Sequence, residues 1–160
     1  STDSIFVDSN GKNKGPYKRY KKSGAVFGEE IVRASFAHRD LYGPPLAILF
    51  RKSVYDKTGG FDERFNFILD YDFFTKLFLQ GNVFVQHAPL TYFRIRHDSN
   101  TGKVLNGEKG QTYLMEHEML YRKYADRLNL TEKQINRYVL HRKIYSFLGG
   151  LYLKVALIGK

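Results

Sequence analysis

A helix-like segment at residues 69–79 lies between two short strand-like segments, and this order constrains the fold more than any other feature of the sequence. The preceding segment, residues 46–50, is a continuous apolar run, and the following strand, residues 83–87, comes after a break at Gly81. Apolar runs of this length between turn signals are typical of buried strands. The alternation of strand, helix and strand predicts an α/β domain.

Turn signals divide the first part of the chain. Residues 4–9 indicate a strand that ends at the hairpin signal Asn10-Gly11, and the lysine-rich stretch after it indicates either a mobile loop or the returning strand. Residues 28–37 indicate a short helix, and a second short helix over residues 52–58 is expected to end at Gly59-Gly60.

The last part of the chain is predicted to be largely helical. Residues 91–96 indicate one further strand, separated from the preceding one by Pro89. Two helices follow, and the second opens with a capping box at residues 131–134. The tail, residues 147–159, is almost entirely apolar, with a break expected at Gly149-Gly150. This tail either packs on the domain or lies on a membrane surface as a peripheral contact.

Composition excludes several classes of protein. Cysteine is absent, so the sequence has no disulfide framework, no thiolate metal site and no cysteine nucleophile, and it suits a reducing cytosol. No apolar run reaches the roughly 18 residues that a transmembrane helix needs. Residues 1–10 lack the basic start of a signal peptide. Because the first residue is not Met, the sequence is expected to be a piece of a longer one.

The formal net charge is +10, and the positive charge is unevenly distributed. Residues 12–22 contain six Lys or Arg and no acid, and residues 101–160 contain eleven Lys or Arg against five acids. Basic stretches attract phosphate groups, so one interpretation is a non-catalytic basic module that binds anionic lipid or nucleic acid. The other interpretation is a solvated loop together with solvated helix faces. The sequence has no RNP pattern and no zinc-finger spacing, so a specific nucleic-acid partner is not expected.

The densest set of motifs lies between Gly43 and Thr101. In chain order the motifs are Phe50-Arg51-Lys52, Gly59-Gly60-Phe61-Asp62-Glu63, Asp70-Tyr71-Asp72-Phe73-Phe74, Gly81, Pro89-Leu90, and the strand end with Arg94, Arg96 and His97. In this order and spacing, the set strongly resembles the second half of the catalytic domain of family 2 glycosyltransferases, which are inverting enzymes with the GT-A fold.

The resemblance implies a domain organisation. Residues 1–104 would form the acceptor-side half of a GT-A domain with a mixed sheet, and residues 105–160 would form a C-terminal helical extension. The nucleotide-binding first half of such a domain, with its Asp-x-Asp metal motif, has no counterpart here, so we expect the isolated chain to be inactive because it is truncated. A sheet cut in this way leaves uncovered apolar surface, which we expect near residues 46–50.

The resemblance also implies an activity. The whole enzyme would transfer a sugar from a nucleotide-diphospho-sugar to a hydroxyl of a glycan or lipid-linked acceptor, with inversion. It would use a divalent metal, Mg²⁺ or Mn²⁺, held mainly by the first half of the domain. Relatives of this kind serve bacterial polysaccharide and cell-envelope biosynthesis, which implies a cytoplasmic location, in solution or peripherally on the inner face of the membrane.

Asp70 has two compatible interpretations. Taken alone, it is a helix-capping aspartate that accepts hydrogen bonds from first-turn amides. The resemblance assigns to it the role of general base, which removes the proton of the acceptor hydroxyl. Asp70, Phe74 and Leu77 share a helical face, whereas Asp72 lies four residues from Lys76. We therefore expect Asp70 to be buried below the Gly59-Gly60 loop and Asp72 to be exposed near Lys76.

Further candidate residues come from the same resemblance. Gly59-Gly60 is either a helix stop or a place where backbone approaches a ligand closely. Residues implied to border the substrate pocket are Gly59, Gly60, Phe61 and Asp62. Arg94 and Arg96 suit phosphate, and a neutral imidazole at His97 suits a divalent metal. The alternatives are a surface-loop histidine at His97 and a solvated turn at Asp62. We expect His97 to lie near Asp70 at the C-terminal end of the sheet.

Overall fold

The computed structural model describes residues 1–8, 10–94, 104 and 109–158, and of the last helix it describes the side chains up to Leu148 and that of Leu151. The described part is α/β and contains a mixed four-stranded sheet. The chain divides into two compact units. The first contains Ser1–Ser35 and Asp40–Arg96, and the second contains Phe36–Arg39 and His97–Lys160.

The sheet belongs to the first unit, and its central strands run parallel. The strands are β1 (Thr2–Val7), β2 (Asn13–Tyr17), β3 (Gly24–Phe27) and β4 (Asn82–Arg94). Their order is β2-β1-β4-β3, with β1 parallel to β4 and both outer pairs antiparallel. The predicted mixed sheet is therefore present.

The predicted hairpin joins β1 to β2. Gly11 has a φ of +80°, which an L side chain rarely adopts. The Asp8 carboxylate accepts hydrogen bonds from the backbone N–H groups of Asn10 and Lys12, at 3.0 and 2.9 Å. Part of the lysine-rich stretch is thus the returning strand rather than a loop alone.

The prediction of a strand at residues 46–50 is wrong. Pro45–Ala47 forms one 3-10 turn, and the extended residues after it pair with none of the described strands. Pro44-Pro45 fixes two φ angles and starts the turn, so the apolar run does not begin in the sheet. The side chain of Leu49 is 95% exposed. Apolar surface is therefore uncovered near residues 46–50, as expected.

Strand β4 runs through Pro89 without a break, so the predicted split into two strands is wrong. Proline lacks the N–H that a ladder hydrogen bond needs. The register between β1 and β4 shifts on both sides of Asp3, the residue opposite Pro89. This irregularity accommodates the proline inside one continuous strand.

Three helices confirm the sequence predictions closely: α1 (Gly28–Ala37), α2 (Lys52–Thr58) and α3 (Leu69–Phe78). Helix α3 is central, and seven of its ten residues are buried. Gly28 at the start of α1 lies directly against the end of α3. A Cβ at Gly28 would lie 1.9 Å from the carbonyl oxygen of Phe78, so only glycine fits this contact.

The second unit contains α4 (Gly110–Lys123) and α5 (Glu132–Ile158). The predicted capping box is present at the start of α5, because Gln134 N–H donates to Thr131 Oγ1 and Thr131 N–H donates to Gln134 Oε1. The break expected at Gly149-Gly150 is absent, and the helix continues through both glycines. None of the helices in the described ranges is long and apolar enough to cross a membrane.

Candidate functional site

Lys76 ties the Gly59-Gly60 loop to helix α3. Its ammonium group donates to the carbonyl oxygen of Gly60 at 2.7 Å and lies 3.4 Å from Oδ2 of Asp72. The Asp72 side chain is fully buried, at 0% exposure. We call Gly60, Asp72 and Lys76 the loop clamp. The loop clamp joins the Gly59-Gly60 loop to the helix that carries Asp72, and these two motifs are several residues apart in the sequence.

The expectation that Asp70 is more buried than Asp72 is therefore wrong. Asp72, not Asp70, lies buried next to the loop, and Asp70 is only half-buried. The pairing of Asp72 with Lys76 was predicted correctly, but the pair is inside the protein rather than on its polar side. Side chains of a helix lean towards its N-terminus, so Asp70 in the first turn reaches past the helix start. The loop covers Asp72 instead.

Asp70 uses its position at the helix start to bind a backbone amide. The N–H of Tyr71 donates to Asp70 Oδ1 at 2.8 Å. The N-cap residue itself is Ile68, which makes no side-chain capping bond. Asp70 thus satisfies a first-turn amide, as the capping interpretation required, from a position inside the first turn. A carboxylate there also interacts favourably with the positive end of the helix dipole.

Two effects raise the pKa of Asp70. Burial of the carboxyl group is the larger, and the negative charge of Asp40 adds to it, whereas the Tyr71 amide opposes both. Asp40 is held in place by Arg19, whose Nη1 lies 3.3 Å from Asp40 Oδ2. A half-buried carboxylate with a raised pKa is a better proton acceptor than an exposed aspartate. The role of Asp70 as a general base stays a prediction.

Gly59 and Gly60 both have left-handed backbones, with φ of +75° and +72°. The N–H of Gly59 bonds the carbonyl oxygen of Tyr55 and ends α2, so the helix-stop interpretation is confirmed. A Cβ at Gly59 would meet nothing within 4 Å, whereas one at Gly60 would lie 3.2 Å from Tyr55 Oη. The close approach of a ligand to this backbone stays a prediction.

Phe61 and Asp62 continue the loop. The Phe61 ring is exposed on one side, and its centroid lies 4.6 Å from that of Phe73 in α3. Asp62 accepts two hydrogen bonds from the Arg64 guanidinium, at 2.9 and 2.7 Å. Its carboxylate also accepts the backbone N–H of Arg64 at 3.1 Å. In this structure Asp62 shapes the turn, and its contact with a sugar hydroxyl stays a prediction.

The remaining predicted residues lie at or beyond the end of β4. Arg94 is the last residue of that strand and is exposed. Arg96 and His97 lie outside the described residues, and so does the predicted proximity of His97 to Asp70. Within the described ranges, no group of three or more His, Asp or Glu side chains is placed to hold a metal ion.

Sequence reasoning missed two parts of the site. The bond from Lys76 to Gly60 links residues in different elements, and no local pattern signals it. The effect of the Asp40 charge on Asp70 also has no local signal, because the two residues are distant in sequence. Only the spacing of Asp72 and Lys76, four residues apart, gave a usable signal.

A groove of about 660 Å³ also lies within the first unit. Its walls come from residues 46–51, from the C-terminal end of α3 at Leu77 and Phe78, and from β4 around Phe84 and Leu90. The uncovered side chains near residues 46–50 therefore border a continuous depression rather than scattered surface positions. Comparisons of the chain with protein-family models, with curated proteins and with solved structures give no match.

Proposed function

We propose that this chain is the acceptor-side part of an inverting glycosyltransferase that resembles family 2, with Asp70 as the general base. The main support is the ordered set of motifs from Phe50-Arg51-Lys52 to Arg94. The single structural observation that carries the proposal is the loop clamp. Lys76 joins the Gly-Gly-Phe-Asp-Glu loop to the helix that carries both aspartates. A shared substrate pocket requires these two motifs to be adjacent.

In this proposal the two aspartates have different roles. Asp70 accepts the proton of the acceptor hydroxyl while the oxygen attacks the anomeric carbon, and the nucleoside diphosphate leaves from the opposite face of the sugar. Attack opposite the leaving group inverts the anomeric configuration. Asp72 touches no substrate and holds the loop through Lys76. The raised pKa of Asp70 favours proton transfer, and the Tyr71 amide keeps the carboxylate in position.

The divalent metal is assigned to the nucleotide-binding half of such a domain. The described residues offer no group of acids and histidines that fits a metal ion, so no step above passes through one. The donor would be a nucleotide-diphospho-sugar and the acceptor a glycan or lipid-linked hydroxyl. Since the nucleotide-binding half has no counterpart here, the isolated 160-residue chain should not bind UDP-sugars and Mn²⁺ with micromolar affinity in calorimetry.

The alternative, a charge-driven binding module, has less support from residues 12–22. Three of the six cations there pair with carboxylates: Lys14 with Asp8, Arg19 with Asp40, and Lys22 with Glu30. A cation that already has a carboxylate partner contributes less to binding phosphate. Steep salt dependence of binding to plain duplex DNA, without sugar transfer, would favour this alternative.

The proposal is tested with the longest natural protein that contains this sequence. Sugar transfer is assayed from UDP-, GDP- and dTDP-sugars with Mn²⁺, and NMR of the product reports the anomeric configuration. We expect transfer with inversion for one donor, and loss of transfer in Asp70→Asn. The matched control is Asp56→Asn, an exposed helical aspartate that pairs with Lys52. Retention of configuration, or full activity of Asp70→Asn, would refute the proposal.

A further inference from the structure

Helix α5 has apolar side chains on two opposite sides. One side packs on α4: Ile135 and Tyr138 are buried, and the Tyr138 ring lies 5.7 Å from that of Tyr121. Arg142 is on the same side, buried, and its Nε donates to Tyr121 Oη at 3.2 Å. This side belongs to the core of the second unit.

The opposite side of α5 carries an apolar stripe that no described residue covers. Its members recur at helical spacing and are between 47% and 73% exposed: Leu140, Ile144, Phe147, Leu148 and Leu151. We call these five residues the α5 stripe. Single exposed apolar side chains are ordinary, but a contiguous row of five large ones indicates a surface that binds something.

Charge on the same helix indicates the partner. Helix α5 contains five Lys or Arg and a single acid, Glu132, which pairs with Arg122 of α4. Lys133 and Arg137 are exposed and lie seven and three residues before Leu140, so they continue the line of the stripe. Lys143 is exposed and lies beside it. The stripe is therefore bordered by positive charge, and the one acid of α5 is paired with a cation of α4.

A second copy of the chain fits this pattern poorly. If two α5 helices paired in parallel, Arg137 would face another Arg137, and like charges across an interface oppose association. If they paired antiparallel, Arg137 would face an apolar side chain and lose hydration. An anionic lipid surface satisfies both halves of the pattern, because acyl chains accept the apolar side chains and headgroup phosphates accept the cations.

We propose that the α5 stripe binds the surface of an anionic bilayer. The helix lies in the plane of the interface, with the stripe facing the acyl chains and with Lys133, Arg137 and Lys143 at the headgroup phosphates. In this arrangement the contact is peripheral, because the helix axis lies parallel to the bilayer surface. The inference depends on α5 alone and stands apart from the proposed sugar transfer.

Co-sedimentation with lipid vesicles tests the inference. The full chain is mixed with vesicles of phosphatidylcholine and phosphatidylglycerol, and with vesicles of phosphatidylcholine alone. We expect binding to the mixed vesicles that weakens with added salt, and much weaker binding to the neutral ones. Phe147→Glu should weaken binding about tenfold or more, because an apolar side chain that would enter the acyl-chain region is replaced by a charge that phosphate repels. Reversing one cation, Lys143→Glu, should weaken it to a similar extent.

Matched controls separate the stripe from general effects of charge. Leu90→Glu changes an equally exposed leucine of β4, and Lys57→Glu reverses an exposed cation of α2; both should leave vesicle binding unchanged. Circular dichroism establishes that each variant is folded. If Phe147→Glu does not fold, Leu140→Glu, about two turns earlier in the stripe, provides the same measurement.

Two results would overturn the inference. One is equal binding to neutral and anionic vesicles, or binding that the stripe variants do not weaken. The other is a wild-type dimer in sedimentation velocity that Phe147→Glu converts to a monomer while vesicle binding stays absent. That result would show that a second copy covers the stripe.

Discussion

Lys76 Nζ lies 3.4 Å from Oδ2 of Asp72, and this ion pair is inside the protein. The Asp72 side chain is fully buried and that of Lys76 is 17% exposed, so the two opposite charges compensate each other in a poorly solvated place. The pair therefore contributes to the fold as well as to the position of the Gly59-Gly60 loop.

Asp72→Asn should destabilise the protein. Removal of one partner leaves a poorly solvated ammonium group, which costs about 3 kcal/mol in the free energy of unfolding. The exposed pair between Lys52 and Asp56 provides the comparison, and Asp56→Asn should cost less than about 1 kcal/mol. Urea denaturation of both variants measures the difference. Equal stabilities would show that the buried pair is energetically equivalent to a surface one.

Asp70→Asn should remove most of the proposed activity while donor binding persists. The amide keeps the shape and the hydrogen bond from the Tyr71 amide but accepts no proton, so kcat should fall by about 10²–10⁴. Steady-state kinetics and donor titration on the complete enzyme measure the two effects. Loss of donor binding together with kcat would point to a structural role for Asp70.

Asp40→Asn should change the pH dependence of that activity. Activity falls when Asp70 becomes protonated, and the charge of Asp40 raises the pKa of Asp70. Without that charge, the acidic limb of kcat/KM should move to lower pH. The asparagine keeps an oxygen for the Tyr42 N–H, which bonds Asp40 Oδ1 at 2.9 Å. An unchanged acidic limb would remove Asp40 from the site.

Gly60→Ala should destabilise the loop more than Gly59→Ala. Both positions have a left-handed backbone, which costs an L-residue about 1–2 kcal/mol, but only Gly60 faces a side chain, Tyr55 Oη. In the Gly60→Ala background, Tyr55→Phe should restore part of the loss by removing that oxygen. A double-mutant cycle from chemical denaturation measures the coupling. Additive effects would show that the contact with Tyr55 is unimportant.

His117 should make the protein less stable as the pH falls below about 6.5. Burial lowers the pKa of His117 well below its ordinary value of 6.5, and the nearby Arg142 charge lowers it further. The unfolded chain then binds a proton that the folded chain does not, so the free energy of unfolding falls by up to about 1.4 kcal/mol per pH unit.

The comparison of variants isolates this histidine. His117→Leu should reduce the dependence of unfolding free energy on pH between about 6.5 and 5.5. Leu128, which is fully buried in the same unit and cannot titrate, gives the control. Leu128→Ala should lower stability at every pH and leave the slope unchanged. Unfolding in urea at a series of pH values provides the data, and an unaltered slope in His117→Leu would contradict the prediction.

Local chemistry made much of the fold predictable from the sequence. The Asn10-Gly11 turn, the left-handed stop at Gly59 and the capping box at Thr131 each depend on residues that are neighbours in the chain. Long-range relations were not predictable. The continuity of β4 through Pro89 depends on the register with β1, and residues 48–50 stay outside the sheet because none of the described strands pairs with them.

The same distinction applies to the candidate site. The motif spacing placed Asp70 at the start of a helix and Asp72 beside Lys76, and both relations are local. Which aspartate is buried depends on where the Gly60 loop lies, and that is decided by a bond between separate elements. Helical phase alone therefore predicted that the wrong aspartate is the more buried one.

The pairing of β1 with β4 has a consequence for the synthesis of the protein. The two central strands of the sheet are separated by roughly 80 residues, so β1 is synthesised well before β4, its parallel partner. At ~5–20 residues per second, a ribosome takes on the order of 4–16 s to make the intervening chain. A two-stranded hairpin of β1 and β2 is only marginally stable in water during that interval. The nascent chain thus passes through a period in which the edge of β1 is open to pairing with other chains, and a chaperone that covers this edge would raise the yield of folded protein.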